Sequence, residues 1–136
     1  MTGLLLAAML WGPIPCDVVR VLDGDTVEAQ CGVWLGTKIQ TMVRVRGVDT
    51  PEKHGKCPAE SALAIRASTF TKDALPPGTP IQLFKIEPDK YGGRVVATVV
   101  YDSPTRRGLY LGDELVAAGL ARGYDGGTKS SWCPSP

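Results

Sequence analysis

The stretch VVRVLDGDTVEAQC, residues 18–31, decides how the chain begins to fold. Residues 18–22 and 26–31 are rich in valine and other residues that favour strands, and an Asp-Gly-Asp turn at 23–25 separates them. An Asp-Gly step between two such runs is a strong pattern for a β-hairpin. The sequence therefore predicts that the fold opens with two paired strands.

Further strands follow this hairpin. Residues 38–48 alternate apolar and polar side chains as a half-buried strand does, which predicts that Arg44 and Arg46 face one side. Residues 81–86 and 94–101 read as two more strands around a Pro- and Gly-containing turn. Five strands are therefore expected in all.

Two helices are predicted between and after these strands. Pro58 suits the first turn of a helix that runs to about Ala74, and a short helix runs from Asp113 to Gly119. The order of elements predicts an α+β fold, which a five-stranded OB-fold β-barrel with two to three helices accommodates. The expected buried face of the first helix consists of Ala59, Ala62, Leu63, Ala67, Phe70 and Ala74.

Length and charge restrict what the chain can do. Its 136 residues are enough for one domain with a single hydrophobic core. The formal net charge of +1 argues against a protein that holds nucleic acid by a broad cationic field, because such binding uses many Lys and Arg residues. Any phosphate chemistry is therefore expected at a local site.

The N-terminal segment, residues 1–16, differs from the domain predicted over residues 17–136. Its apolar run, residues 4–10, resembles the hydrophobic region of a secretory signal, but no Lys or Arg precedes Arg20. The run is shorter than the roughly 20 apolar residues that a membrane-spanning helix needs. We expect a degraded or mis-started export signal, with a strand or helix packed on the core as the alternative.

Four cysteines, Cys16, Cys31, Cys57 and Cys133, include no C-x-x-C pair, so a zinc ribbon or a thioredoxin motif has no support. Disulfides are one interpretation, with three connectivities open to four cysteines. Four buried free thiols are the other.

Two acidic turns carry candidate metal ligands. Asp25 lies in the first hairpin turn, and Asp49 lies where the third strand ends. Hard divalent cations prefer oxygen ligands, and two carboxylates from separate segments with a backbone carbonyl form a partial shell. The alternative is that both segments are simply turns, because Asp-Gly sequences are common there.

Phosphoryl transfer would use further residues near these turns. The transition state gathers negative charge, which a cation and guanidinium groups stabilise while a carboxylate orients or deprotonates water. Arg44 and Arg94 can supply the guanidinium groups, and Glu52 can supply that carboxylate. The alternative for both arginines is an ordinary surface position on a strand.

Four motifs, taken in order, give these residues a common context. They are VLDGDTV (21–27), VRVRGVDTPE (43–52), DKYGGR (89–94) and LVAAGLA (115–121). In this order they resemble the successive motifs of the staphylococcal nuclease family, and the resemblance covers roughly residues 17–133. It implies the OB-type barrel and a nuclease that uses one divalent cation, calcium by family precedent.

The resemblance assigns roles to single positions. Asp25 and Asp49 would bind the cation through their carboxylates, and Thr50 through its main-chain carbonyl. Glu52 would be the general base or water-orienting group, and Arg44 and Arg94 would bind phosphate. Relative to the family pattern, Gly93 is an extra residue before Arg94, which a β-bulge can absorb.

Substrate-binding residues and disulfides follow from the same resemblance. Lys90 would contact a phosphate, and Tyr91 and Tyr124 would flank a nucleotide, with core or rim packing as the alternative. The pattern of exported bacterial members implies a Cys57–Cys133 disulfide, and resemblance together with proximity favours Cys16 paired with Cys31.

The sequence thus predicts a monomeric nuclease that hydrolyses phosphodiester bonds of DNA or RNA with low sequence specificity. We expect it to be exported, to the periplasm or medium, without stable membrane association; a cytoplasmic location is the alternative. Two other functions stay open. One is a non-catalytic OB module that binds nucleic acid, and the other is a barrel that binds a partner and no ion.

Overall fold

The computed structural model describes residues 12–135, and the strands and helices of this part follow the predicted order. Both predicted helices and the five predicted strands are present, with the shifts in their bounds given below. In chain order the elements are β1 (Ile14–Asp23), β2 (Thr26–Trp34), β3 (Thr37–Val45), β4 (Val48–Asp49), α1 (Pro58–Ala74), β5 (Pro80–Pro88), β6 (Arg94–Tyr101), β7 (Leu109–Tyr110), α2 (Leu111–Ala117) and β8 (Arg122–Gly123).

Five of the strands within residues 12–135 close into a barrel. Strand β1 pairs antiparallel with β2 and β5, β2 pairs with β3, and β5 pairs with β6. A parallel pairing of β3 with β6 completes the ring. The predicted α+β class and five-stranded OB-type barrel are therefore confirmed, and the interior is filled by small and branched apolar side chains such as Val27, Val43 and Val99.

The barrel begins earlier than the sequence predicted. Strand β1 starts at Ile14, and Cys16 is buried in the core, so residues 14–16 belong to the barrel and not to a separate segment. Residues 1–11, which contain the apolar run, lie outside the described residues. Their role as an export signal stays a prediction. Within residues 12–135, no helix is long and apolar enough to cross a membrane.

Helix α1 has the predicted bounds but a different buried face. Ala59 and Ala62 are exposed, contrary to the prediction, whereas Leu63, Phe70 and Ala74 are partly buried against the core. The reason is that α1 packs on a polar turn of the barrel as well as on apolar strands. Its buried residues are Glu60, Ala64, Ala67, Ser68 and Thr71.

The C-terminal elements are short. Helix α2 begins at Leu111 and not at Asp113, because the chain enters it directly from β7. Strands β7 and β8 have two residues each and were not predicted. Strand β8 pairs with β4, in the register Asp49 with Arg122, and so brings the end of the chain to one of the acidic turns.

Both disulfides implied at the sequence level are present. Cys16 and Cys31 are cross-strand partners in β1 and β2, with their Cα atoms 4.0 Å apart. Cys57, at the N-terminal end of α1, is joined to Cys133 near the end of the chain. The interpretation as four free thiols is therefore wrong.

Candidate functional site

One cleft of about 420 Å³ brings the predicted site residues together. They come from the β1–β2 turn, β3, the segment after β4, the β5–β6 turn and the chain after β8. Asp25, Arg44, Asp49, Thr50, Glu52, Lys90, Tyr91, Arg94 and Tyr124 all line this cleft.

Helix α1 fixes the turn that carries Asp25. The Thr71 hydroxyl donates a buried hydrogen bond of 2.8 Å to the carbonyl oxygen of Gly24. A Cβ atom at Gly24 would lie 2.8 Å from the Cβ of Ala67, a distance that side-chain atoms do not tolerate. Glycine is therefore required at 24 by the close approach of the helix, and this approach holds the neighbouring carboxylate at the rim of the barrel.

The Asp25 carboxylate lies in an environment that disfavours its negative charge. Burial raises its pKa to about 7, the hydrogen bond and negative charge of Asp23 add to the increase, and Arg44 and Thr50 oppose it. The Arg44 Nη2 atom is 3.7 Å from Asp25 Oδ2. A buried carboxylate beside a second acid is stabilised by any positive charge placed next to it.

Asp49 and Thr50 line the same cleft as this turn, and both are buried, with 5% of each residue exposed. Asp49 ends the short strand β4, and Thr50 follows it directly. The Thr50 side chain hydrogen-bonds to Asp25. Two segments that are far apart in the sequence are thus tied together by a contact between the predicted ligands themselves.

Glu52 is exposed at the mouth of the cleft, and a buried glutamate positions its loop. The Glu60 carboxylate accepts hydrogen bonds from the main-chain N–H groups of Glu52, at 3.2 Å, and Lys56, at 3.0 Å. The Glu52 side chain is therefore free to face solvent, while its backbone is held by the first turn of α1. A carboxylate with this exposure can contact water.

The parallel pairing of β3 with β6 sets the spacing of the two arginines. Met42 is the partner of Arg94, and Arg44 is two residues farther along β3. Paired residues and residues two apart share one face of a sheet, so both arginines point to the same side. Strand spacing and rise place their Cα atoms about 8 Å apart.

The β5–β6 turn holds Arg94 in the cleft. Arg94 donates to the Asp89 carboxylate through Nε, and its guanidinium carbon lies 4.9 Å from the centroid of the Tyr91 ring. Burial alone would raise the pKa of Asp89, but the contact with Arg94 outweighs it and the pKa lies below its usual value. The predicted bulge at Gly93 is wrong: this residue, with a φ of 83°, lies in the turn before β6 begins.

Arg46 does not share the cleft with Arg44, contrary to the prediction from alternation. Its guanidinium group donates to the Lys85 carbonyl oxygen and contacts Glu87 at 3.0 Å. Strand β3 ends at Val45, so the two-residue period no longer determines where the next side chain points.

The C-terminal tail, residues 124–133, forms the remaining side of the cleft. Arg44 lies 5.8 Å from the centroid of the Tyr124 ring. Lys129 Nζ is 3.1 Å from Asp49 Oδ1, and the Trp132 indole N–H donates to Asp49 Oδ2 at 3.1 Å. Sequence reasoning missed Lys129 and Trp132, because contacts across about 80 residues leave no local pattern in one sequence.

Within residues 12–135, no group of three or more His, Cys, Asp and Glu side chains is arranged to hold a metal ion. The cleft instead offers two buried carboxylates, Asp25 and Asp49, with carbonyl and hydroxyl oxygens nearby, and Asp23 and Glu52 are less buried carboxylates on its lining. An all-oxygen set of this kind suits a hard cation that takes its other ligands from water and phosphate. The donor chemistry therefore fits calcium or magnesium and does not fit a thiolate-bound metal.

Comparison with known proteins agrees with this geometry. A family model described as "Staphylococcal nuclease homologue" matches residues 42–131, which include the end of β3, both helices and most of the cleft. No curated protein matches the chain.

Proposed function

The chain belongs to the staphylococcal nuclease family, and we propose that it is a calcium-dependent nuclease that hydrolyses phosphodiester bonds of DNA or RNA. The observation that carries this proposal is the convergence of two buried carboxylates, two arginines and an exposed glutamate on one cleft. A phosphate diester in this cleft would meet the positive charge of two arginines and a carboxylate that can contact water.

Each group has a role that follows from its environment. Asp25 and Asp49 hold the calcium ion, which supplies charge neutralisation for the phosphate when bound, and the Thr50 carbonyl completes the protein's contribution. Glu52 orients or deprotonates the attacking water, because it is the acidic side chain of the cleft that is open to solvent. Arg44 and Arg94 bind the phosphate oxygens and stabilise the negative charge that develops on them.

Substrate binding uses few, unspecific contacts. Tyr91 has 59% of its surface exposed, next to Lys90 and Arg94, and Tyr124 lies beside Arg44. Aromatic faces stack on any base, and lysine contacts phosphate without reading sequence. We therefore expect low sequence specificity. All of these residues come from one chain, which is consistent with action as a monomer.

The two disulfides support export. Disulfides form and persist in oxidising compartments and are rare in the cytoplasm. Cys16 with Cys31 and Cys57 with Cys133 account for every cysteine of the chain. We propose a periplasmic or secreted location for the mature protein.

Hydrolysis of denatured DNA by the purified protein, with calcium, magnesium or a chelator, tests the proposal. We expect cutting with calcium and none in the chelator. Glu52→Gln and Arg44→Ala should each lower kcat/KM by about 100-fold or more, because each removes an interaction of the transition state.

Arg46→Ala is the matched control for Arg44→Ala. Arg46 follows closely on the same segment but contacts Lys85 and Glu87 outside the cleft, so activity should be nearly unchanged. Protein that binds denatured DNA and leaves it intact with every cation would contradict catalysis and favour a non-catalytic binding module. Equal losses in the Arg44 and Arg46 variants would contradict the role of Arg44.

A further inference from the structure

Asp49, one of the two carboxylates that we assign to the ion, has both of its oxygens in contact with the C-terminal tail. The Trp132 Nε1–H group donates to Oδ2 at 3.1 Å, and Lys129 Nζ lies 3.1 Å from Oδ1. An indole N–H can only donate, so its orientation toward the carboxylate is unambiguous. A side chain 83 residues away therefore determines how one candidate ligand is turned.

Three contacts hold Trp132 in this position: one on its ring, one on the preceding residue and one on the following residue. The guanidinium carbon of Arg122 lies 3.8 Å from the centroid of the indole ring, and Arg122 Nη1–H donates to the Ser131 carbonyl oxygen at 2.7 Å. Arg122 is itself the strand partner of Asp49. The next residue, Cys133, is fastened to Cys57 by the disulfide. Asp49, Arg122 and Trp132 thus form a closed ring of contacts.

Lys129 is held much less firmly. Its side chain is 42% exposed, and besides Asp49 it contacts only the face of Tyr124, at 5.4 Å, among the contacts described. An ammonium group on an exposed four-carbon chain moves away readily, whereas a stacked indole next to a disulfide does not. The two oxygens of Asp49 are therefore unequal: Oδ2 is fixed, and Oδ1 can exchange its partner.

We propose that Trp132 is a positioning residue for the ion site: its indole N–H fixes Asp49 Oδ2 so that Oδ1 faces the cleft and is available to a divalent cation. The inference rests on the proposed function, because it assigns Asp49 to the ion. Groups that hydrogen-bond to metal ligands orient them, and removing such a partner typically weakens metal affinity 10- to 100-fold.

Calcium titration of the nucleic-acid-free protein by calorimetry tests this directly. Trp132→Phe keeps the aromatic ring and removes the N–H, and we expect its calcium Kd to rise about tenfold or more. Trp34→Phe is the matched control. Trp34 lies on the β2–β3 hairpin with 74% of its surface exposed, so its substitution should leave the calcium Kd unchanged.

Thermal unfolding in a chelator separates positioning from packing. We expect Trp132→Phe to unfold within a few degrees of the wild type, and to recover nearly wild-type kcat at saturating calcium. Arg122→Lys keeps the charge but loses the planar stack on the indole, and should raise the calcium Kd in the same direction by a smaller factor. If the Trp132→Phe variant does not fold, the calcium Kd of Arg122→Lys tests the positioning role of Trp132 instead.

An unchanged calcium Kd in Trp132→Phe, with wild-type protein that binds calcium and cuts DNA, overturns the role of Trp132 and leaves the proposed function standing. A large loss of stability in the chelator without a change in calcium Kd also overturns it, because Trp132 would then only pack the tail. Wild-type protein that binds no calcium overturns both proposals.

Discussion

The two sides of the cleft are built in different ways. The barrel side carries Asp25, Arg44 and Arg94, which are positioned by strand register and by a buried hydrogen bond from α1. The tail side carries Tyr124, Lys129 and Trp132, which reach the same site through side-chain contacts and the Cys57–Cys133 disulfide. Backbone pairing fixes one side, and a covalent link with a few charged and aromatic contacts fixes the other.

This difference suggests that the two sides of the cleft have different roles. Groups that must lie within a fraction of an ångström of a transition state are best carried by rigid elements. The barrel side provides such elements, and the tail side provides contacts that adjust one carboxylate. Changes to barrel-side residues should therefore act on the chemical step or on the fold. Changes to Lys129 and Trp132 on the tail side should act on ion affinity, whereas loss of the disulfide that fastens the tail should act on the fold.

The largest expected effect comes from cutting the link that fastens the tail. Replacing Cys57 and Cys133 with alanine should lower the free energy of unfolding by about 4.5 kcal/mol, and replacing Cys16 and Cys31 by about 3 kcal/mol, because the longer loop constrains the unfolded chain more. Urea unfolding in a chelator measures both losses. A larger loss for the Cys16–Cys31 pair would contradict this order.

A smaller loss is expected on the barrel side from Thr71→Val. The substitution keeps the shape of the side chain but removes the donor to the Gly24 carbonyl, which costs about 1–3 kcal/mol when the acceptor stays buried. Thr69→Val, at an exposed position of the same helix, is the control. Urea unfolding of the two variants should differ by this amount, and equal midpoints would show that the hydrogen bond does not brace the turn.

The smallest expected effect is on the calcium affinity of a variant on the tail side. Lys129→Gln removes the ammonium group that occupies Asp49 Oδ1, so calcium no longer competes with it. Because Lys129 is exposed, we expect the calcium affinity to rise by only about two- to fivefold, and less at high salt. Lys38→Gln on the β2–β3 hairpin is the control. A weaker affinity in the Lys129 variant would mean that the lysine supports the ion instead of opposing it.

Much of the fold could be predicted because its patterns are local. The hairpin at residues 18–31 and helix α1 depend on neighbours in the sequence. The buried face of α1 could not be predicted, because Glu60 and Thr71 are turned inward by acceptors and donors that belong to other segments. A hydrophobic pattern gives no sign of a polar side chain that is buried to hold a loop or a turn.

The same distinction between local patterns and long-range contacts holds for the site residues. Eight residues lie in motifs whose order resembles one family, Tyr124 was added from the same resemblance, and all nine line one cleft. Their catalytic and binding roles stay predictions. Trp132 and Lys129 were missed as site residues because their contacts with Asp49 exist only after the tail has folded back and the Cys57–Cys133 disulfide has closed.

The parallel pairing of β3 with β6 also separates the backbone spacing of Arg44 and Arg94 from the exact length of the β5–β6 turn. The register of β3 and β6 sets the spacing of the Arg44 and Arg94 backbones, and the turn from Asp89 to Arg94 holds the Arg94 side chain through Asp89 and Tyr91. Gly93 lies in this turn with a φ of 83°, and Arg94 lines the cleft. Residues between Tyr91 and Arg94 can therefore be changed or added at this point, while strand register keeps the backbone spacing of the two arginines and Asp89 and Tyr91 keep the Arg94 side chain in place.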